Sequence, residues 1–203
     1  MMPRRLIGSR HSAPRIIVIA GQCSGVGKTD LGADIIRAFP ERDWLALKIT
    51  RHHTDRIADG AGYAFHAESE REGKSDTSRY LAAGANRSFL VEIRAGHFAE
   101  GMREVNLLAT GAETVLIEGN SAPGYLRPAL ALLVLDPRRR DFKLSAREAL
   151  GKIDAVILRF PIVAANWPGF EAVQTAPKQM YVQPFGKPLR SGLRQLIDRA
   201  LAG

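Results

Sequence analysis

The sequence has a single cysteine, Cys23, which excludes an internal disulfide framework and suits a reducing cytoplasm. No apolar run approaches the ~20 residues needed to span a bilayer, so no membrane segment is expected. The first 14 residues are basic, with serine and proline, and lack the apolar stretch of a secretory signal. They are expected to be a flexible leader before one domain over residues 15–203. Internal repeats and low-complexity segments are absent. So are zinc-finger spacings, an aromatic RNA-binding box and a basic helix, which argues against a nucleic-acid partner. What is present is a globular composition with surplus positive charge: 203 residues, 45% hydrophobic, 25% charged, formal net charge +8. That length can bury a substantial core, and the charge fits an anionic ligand or partner: a nucleotide, an anionic cofactor or nucleic acid. The densest basic run, Arg138-Arg139-Arg140, reads as a solvated loop after a strand.

Apolar runs alternate with helical patterns, which predicts an α/β fold with a predominantly parallel sheet flanked by helices. Strands are expected at 15–20, 43–49, 87–93, 114–117, 130–135, 155–158 and 179–185. Helices are expected at 28–39, 77–85, 96–110, 145–150 and 189–202, with Asp76 as N-cap of the second. Residues 51–76 form a long polar segment. It is too poor in apolar residues to hold itself rigid, and is expected to be mobile until a ligand or partner binds.

The most informative stretch is Gly21-Gln22-Cys23-Ser24-Gly25-Val26-Gly27-Lys28-Thr29, between the first strand and the first helix. Its glycines let backbone N–H groups converge on phosphate oxygens. Lys28 can reach the β- and γ-phosphates, and the Thr29 hydroxyl can ligate Mg²⁺. Ser24, Gly25, Val26, Gly27, Lys28, Thr29 and Asp30 are therefore nucleotide-binding candidates in a P-loop NTPase fold. The spacing is unusual, with five residues between Gly21 and Gly27 and Gln22 at the usual first glycine position. Phosphoryl chemistry also needs an acidic group at a neighbouring strand end to hold the metal. Glu118, followed by Gly119, is favoured over Asp136. Lys48, near the end of the second strand, could face phosphate or an acidic substrate, or merely snorkel. His52, His53 and His66 with Asp55 or Asp59 match no zinc pattern. Cys23 in the loop would gain thiolate character from the helix start, although a small tolerated side chain is the simpler role. No Asn-Lys-x-Asp guanine box is present, and Arg159-Phe160-Pro161 is the nearest segment in a suitable place.

In order along the chain, Gln22 to Thr29, Lys48 with the nearby histidines, Gly73-Lys74-Ser75-Asp76-Thr77-Ser78-Arg79 running into Ala82-Ala83-Gly84-Ala85, and Glu118-Gly119 resemble the MobB family. This is the molybdopterin-guanine dinucleotide biosynthesis protein B family. The resemblance covers roughly residues 15–120, and its most specific element is Asp-Thr-x-Arg followed by Ala-Gly-Ala. It implies a cytoplasmic GTP-binding protein with weak Mg²⁺-dependent hydrolysis that assists a molybdenum-cofactor nucleotidyltransferase, with ATP as the other candidate nucleotide. It further implies that Lys28, Asp76 and Glu118 serve catalysis, and that Thr29, Asp76 and Glu118 hold Mg²⁺. The family's histidine directly after the strand-two lysine is displaced here by Ile49-Thr50-Arg51, and Asn120-Ser121 replaces its basic residue after Glu-Gly. Asp30 stands where a hydroxyl residue is common. The loop spacing, Lys48 and Glu118-Gly119 also look like dethiobiotin synthetase, an ATP-dependent ligase, but the element from Asp76 to Ala85 argues against it. The alternative from a different class is a binding module whose basic face docks nucleic acid, with the nucleotide as its switch. Position 23 lacks the lysine of the ParA/MinD branch, so a nucleotide-sandwich dimer is not expected, which leaves a homodimer of another kind open.

Overall fold

The computed structural model describes residues 13–51, 57–162, 173 and 178–202. The strands are β1 (Arg15–Gly21), β2 (Trp44–Thr50), β3 (Tyr63–Ala67), β4 (Arg87–Ile93), β5 (Thr114–Glu118), β6 (Leu130–Leu135), β7 (Ala155–Leu158) and β8 (Gln179–Val182). The helices are α1 (Lys28–Ala38), α2 (Asp76–Ala82), α3 (Phe98–Ala109), α4 (Leu144–Ala149) and α5 (Ser191–Ala202). Among the described residues the strands form one sheet, ordered β3-β4-β2-β5-β1-β6-β7-β8. Every pairing is parallel except β3 with β4.

Because side chains alternate across a strand, successive residues of the apolar runs serve opposite faces. Ile17 and Ile19 of β1 pack with Leu31 and Ile35 of α1, Tyr80 of α2 and Leu193 and Ile197 of α5. Ile16 and Val18 pack instead with Phe98, Met102 and Val105 of α3. Further along that second face, Ala146 and Ala149 of α4 cover Leu133 and Leu135. The same parity aims the two charged strand ends. Leu116 and Ala46 face α1 and α2, so Glu118 and Lys48, two positions on, point to that side. The two are also register partners on adjacent strands.

The sheet corrects three expectations. The segment 51–76 contains a strand, β3, which pairs antiparallel at the sheet edge. Its run Tyr-Ala-Phe-His-Ala is only half-buried, so it carries no clear apolar signature. Asp76 is not the N-cap of α2; Ser75 is, its hydroxyl accepting from the Ser78 amide at 3.0 Å. That leaves the Asp76 carboxylate free to point elsewhere. The last strand stops at Val182 rather than Phe185. Beyond it, the buried Gln183 turns its amide onto the Lys187 and Pro188 carbonyls, which starts a bend instead of a ladder.

The turn that presents α2 is clamped by Glu68, whose carboxylate accepts from the Ser75 and Thr77 hydroxyls at 2.8 Å each and from the Ser69 and Glu70 amides at 3.0 Å each. The Glu70 amide and the two hydroxyls bring its pKa from 4.5 down to about 2. A depressed carboxyl stabilises the fold above its unfolded pKa and loses that contribution as pH falls through its folded value. The clamp is therefore expected to hold fully above pH 4.5 and to release as pH falls toward about 2. NMR titration of the Glu68 carboxyl carbon checks this; a midpoint at the ordinary value would show that the clamp does not form.

Candidate functional site

The phosphate loop leaves β1 and turns through two left-handed glycines, Gly25 (φ 68°) and Gly27 (φ 91°). At Gly27 a side chain is doubly excluded, by the left-handed backbone and because a Cβ there would collide with the Phe185 ring and lie 2.9 Å from Arg159. The loop is tied down from several directions. Gln22 is fully buried, with its amide donating to the Arg139 carbonyl at 2.9 Å and accepting from the Asp136 amide at 3.0 Å. Asn120, after β5, imitates a backbone partner: its carbonyl accepts from the Gly21 amide at 2.8 Å and its NH₂ donates back to the Gly21 carbonyl at 3.0 Å. Buried Arg159 donates to the Gly27 carbonyl and, at 3.1 Å, to the Gln183 carbonyl. None of these three anchoring roles was expected. Arg159 is thus occupied with the loop's backbone. Its burial lowers its pKa, against the pull of Asp30 and Asp34.

Thr29, on the first turn of α1, is where the site converges. Its hydroxyl lies 2.8 Å from an oxygen of Asp76 and 2.8 Å from an oxygen of Glu118. One hydroxyl proton can serve only one of them, so two carboxylates and a hydroxyl oxygen crowd one point. Glu118 is 1% exposed. It accepts from the Tyr80 hydroxyl at 2.6 Å and from Lys48, and Lys28 stands 3.8 Å away. Lys48 also reaches Asp76 at 2.9 Å. Burial works against the Lys48 charge, but Glu118 and Asp76 outweigh it and its pKa rises. Asp76 shows the mirror image: burial opposes its charge, and hydrogen bonds from Lys48 and Thr29 bring the net pKa down. Lys28 differs. Burial dominates and lowers its pKa despite Glu118, and its ammonium rests on the Cys23 carbonyl at 3.2 Å.

Of the candidates from the sequence, Ser24, Gly25, Gly27, Lys28, Thr29, Asp30, Lys48, Asp76 and Glu118 line one cavity of about 290 Å³. Val26 turns into the core, and Asp30 pairs with Arg79 at 2.6 Å. Asp136 is elsewhere engaged, its carboxylate accepting three hydrogen bonds at 3.0 Å from Arg138. Cys23 is buried, and its thiol is pushed up to about 11 by that burial and a hydrogen bond to Asp141, which opposes thiolate character and fits the simpler role of a small tolerated side chain. His66 lies beside Glu92 at 3.0 Å on the β3–β4 edge, while His52, His53 and Asp55 lie outside the described residues. Besides the three loop anchors, sequence reasoning missed Tyr80. It carries no motif, and its hydroxyl is legible only once α1 and α2 are packed: a Cβ on Gly32 would sit 2.8 Å from the Tyr80 ring.

The donors around Thr29 are all oxygens, the set that suits a hard divalent cation such as Mg²⁺. No cluster of three or more His, Cys, Asp or Glu side chains that could hold a metal alone occurs among the described residues. A cation here would need ligands from elsewhere, as Mg²⁺ does when it shares phosphate oxygens and water.

No protein-family model matches the sequence, and no curated relative aligns with it. Solved structures match by shape. HypB from Helicobacter pylori, determined in complex with nickel, superposes with a TM-score of 0.53 at 16% identity, over 93% of this chain and 84% of HypB. LpxK from Aquifex aeolicus, in its "apo" form in complex with ATP, gives a TM-score of 0.50 at 16% identity, over 83% of this chain and 53% of LpxK. The chain thus spans about half the length of LpxK. At this identity the likeness shows the fold alone: a mostly parallel eight-stranded sheet flanked by helices, the P-loop NTPase fold.

Proposed function

We propose that this chain is a Mg²⁺-dependent, GTP-binding P-loop protein that assists a nucleotidyltransferase of molybdenum cofactor biosynthesis. The observation that carries the nucleotide reading is the convergence of Thr29, Asp76 and Glu118 at 2.8 Å beside Lys28. Asp76 belongs to the Asp-Thr-x-Arg element on which the resemblance to MobB chiefly rests. Its position against Thr29 supports reading that element as part of the nucleotide site. In this reading Lys28, weakly held by its own protein, meets the β- and γ-phosphate oxygens. Thr29, Asp76 and Glu118 hold Mg²⁺, which when bound neutralises charge on the transferring phosphoryl group. Lys48 balances the two carboxylates, and Tyr80 fixes the orientation of Glu118. Both carboxylates are engaged by Lys48 and Thr29. Among the described residues of the site this leaves no free general base, so unassisted turnover is expected to be slow.

Equilibrium binding of labelled GTP against ATP, with and without Mg²⁺, tests the assignment of the base. GTP is expected to bind more tightly, and tighter ATP binding would remove the molybdenum-cofactor role while keeping the phosphate site. Lys28→Ala is expected to weaken Mg-nucleotide binding about a hundredfold or more with an unchanged circular dichroism spectrum, because the phosphates lose a charge-assisted partner. Unchanged affinity in a folded variant would refute the loop's role.

Two substitutions test the metal site. Glu118→Gln should lower Mg²⁺-dependent turnover at least about tenfold while affecting Mg²⁺-free nucleotide binding less, since its charge acts through the cation. Asp136→Asn should leave the Mg²⁺ dependence alone. If the Asp136 change is the more damaging in matched assays, the metal belongs at the other strand end. Tyr80→Phe removes one hydrogen bond to a buried carboxylate and should raise the half-saturating Mg²⁺ concentration about tenfold. A Mg²⁺ titration that overlays the wild type would show that Tyr80 is only packing.

A further inference from the structure

A second cavity, of about 280 Å³, meets the nucleotide-facing one at the phosphate loop. The two share Ser24, Lys28, Lys48 and Glu118 as a common wall. On the loop side of that wall stand Gly25, Gly27, Thr29, Asp30, Asp76 and Arg79. On the far side stand Arg51, Phe98, Asn120, Ser121, Lys143 and Ser145. These come from the ends of β2 and β5 and from the segments entering α3 and α4, so the second cavity opens over the sheet face opposite α1.

Its charge is one-sided. The described lining holds four cations, Lys28, Lys48, Arg51 and Lys143, against one carboxylate, Glu118. That carboxylate is already satisfied by Lys48, Tyr80 and Thr29. Among the described residues, neither Arg51 nor Lys143 pairs with an acidic side chain. The Arg51 guanidinium lies 3.9 Å above the Phe98 ring, which holds it at the cavity wall, and the Lys143 ammonium donates to the Ser24 hydroxyl at 2.9 Å. Lys28 and Lys48 already face Glu118, and Lys48 also faces Asp76, so the surplus charge is that of Arg51 and Lys143, which concentrate field on any anion that enters the concave site. A further cavity of about 160 Å³ continues from this one, sharing Arg51, Asn120, Ser121 and Ser145 with it and adding one carboxylate, Glu148, and one ammonium, Lys152. The space therefore admits more than a bare phosphate, and its hydroxyl and amide lining suits a polar body.

The geometry points to a second ligand site in this cavity, taking a small organic anion that bears a carboxylate or phosphate and binds together with the nucleotide. The inference rests on the proposed nucleotide site, whose phosphates occupy the loop side of the shared wall. Arg51 and Lys143 then have no phosphate of the nucleotide to meet, and the anion is what they hold. Lys28 and Lys48, being common to both cavities, place that anion next to the terminal phosphate.

Isothermal titration of the full chain tests this. The protein is first loaded with Mg²⁺ and a non-hydrolysable triphosphate, then titrated with inorganic phosphate or, separately, succinate at constant ionic strength. One-to-one binding of at least one anion is expected, without loss of nucleotide. Arg51→Met and Lys143→Met are each expected to weaken the anion about tenfold, the effect of one charge-assisted contact. Preference for phosphate or for succinate identifies the anion class, and either supports the site. Failure of the nucleotide itself to bind would overturn the reading of the loop. Nucleotide binding with no anion binding, displacement of nucleotide by the anion, or unchanged anion affinity in both variants would overturn the second site. Two substitutions on different segments keep the test decisive if one of them fails to fold.

Discussion

A carboxylate buried at the end of a central strand is the constraint on which the rest of this site depends. Removing an ionised carboxyl from water costs several kcal/mol unless charge and hydrogen bonds replace the lost hydration. Glu118 is 1% exposed, and its replacements come from three elements. Lys48 is its register partner on β2, Thr29 comes from the first turn of α1 and Tyr80 from α2. Each has to be delivered by packing. Gly32 lets α2 approach α1 closely enough for the Tyr80 ring to pass, and Ser75 caps α2 so that Asp76 faces inward. The fold around the loop is thus arranged to keep one negative charge in place, and the hydroxyl and second carboxylate gathered there are what make the spot fit for a cation.

The loop's departures from the usual spacing acquire a physical account. A glycine-rich turn has little side chain with which to hold itself, so its position must be fixed by neighbours. Gln22 ties it to the end of β6, Asn120 to the end of β5 and Arg159 to the end of β7. Gln22 stands at the usual first glycine position because its buried amide is the tether, and Asn120 follows Glu118-Gly119 for the same reason. Substitutions that look like losses from a motif are, in this chain, contacts that hold the cradle between three strands.

Much of this was legible in the sequence. Apolar runs betray buried parallel strands, because both faces of such a strand are covered, and β4, β6 and β7 match their expected bounds. The strand β3 escaped because an edge strand buries only part of each residue and its apolar pattern fades. Lys28, Thr29, Asp76, Glu118 and Lys48 were legible by residue type at a strand or helix end. Tyr80, Gln22 and Arg159 were not, since an apolar-looking position in a helix, a polar residue in a turn and a charge after a strand become meaningful only when distant segments meet. Glu118 was already favoured over Asp136 by the glycine that follows it, and the fold adds that the Asp136 carboxylate is engaged by an arginine two residues on.

Two lysines beside one carboxylate invite the view that they are interchangeable, and their surroundings argue otherwise. Lys48 is bracketed by Glu118 and Asp76, and their charges raise its pKa despite burial. Its ammonium is committed to those two groups. Lys28 is comparably shielded from water, yet among the described residues its nearest acidic oxygen is 3.8 Å away and its one hydrogen bond, to the Cys23 carbonyl, is 3.2 Å long. Burial prevails and its pKa falls. A cation deprived of water and only loosely partnered gains most from an arriving anion. Lys48 therefore sets the electrostatic balance of the carboxylate pair, while Lys28 is the charge left under-satisfied at the mouth of the loop, and a phosphate placed there would complete its coordination.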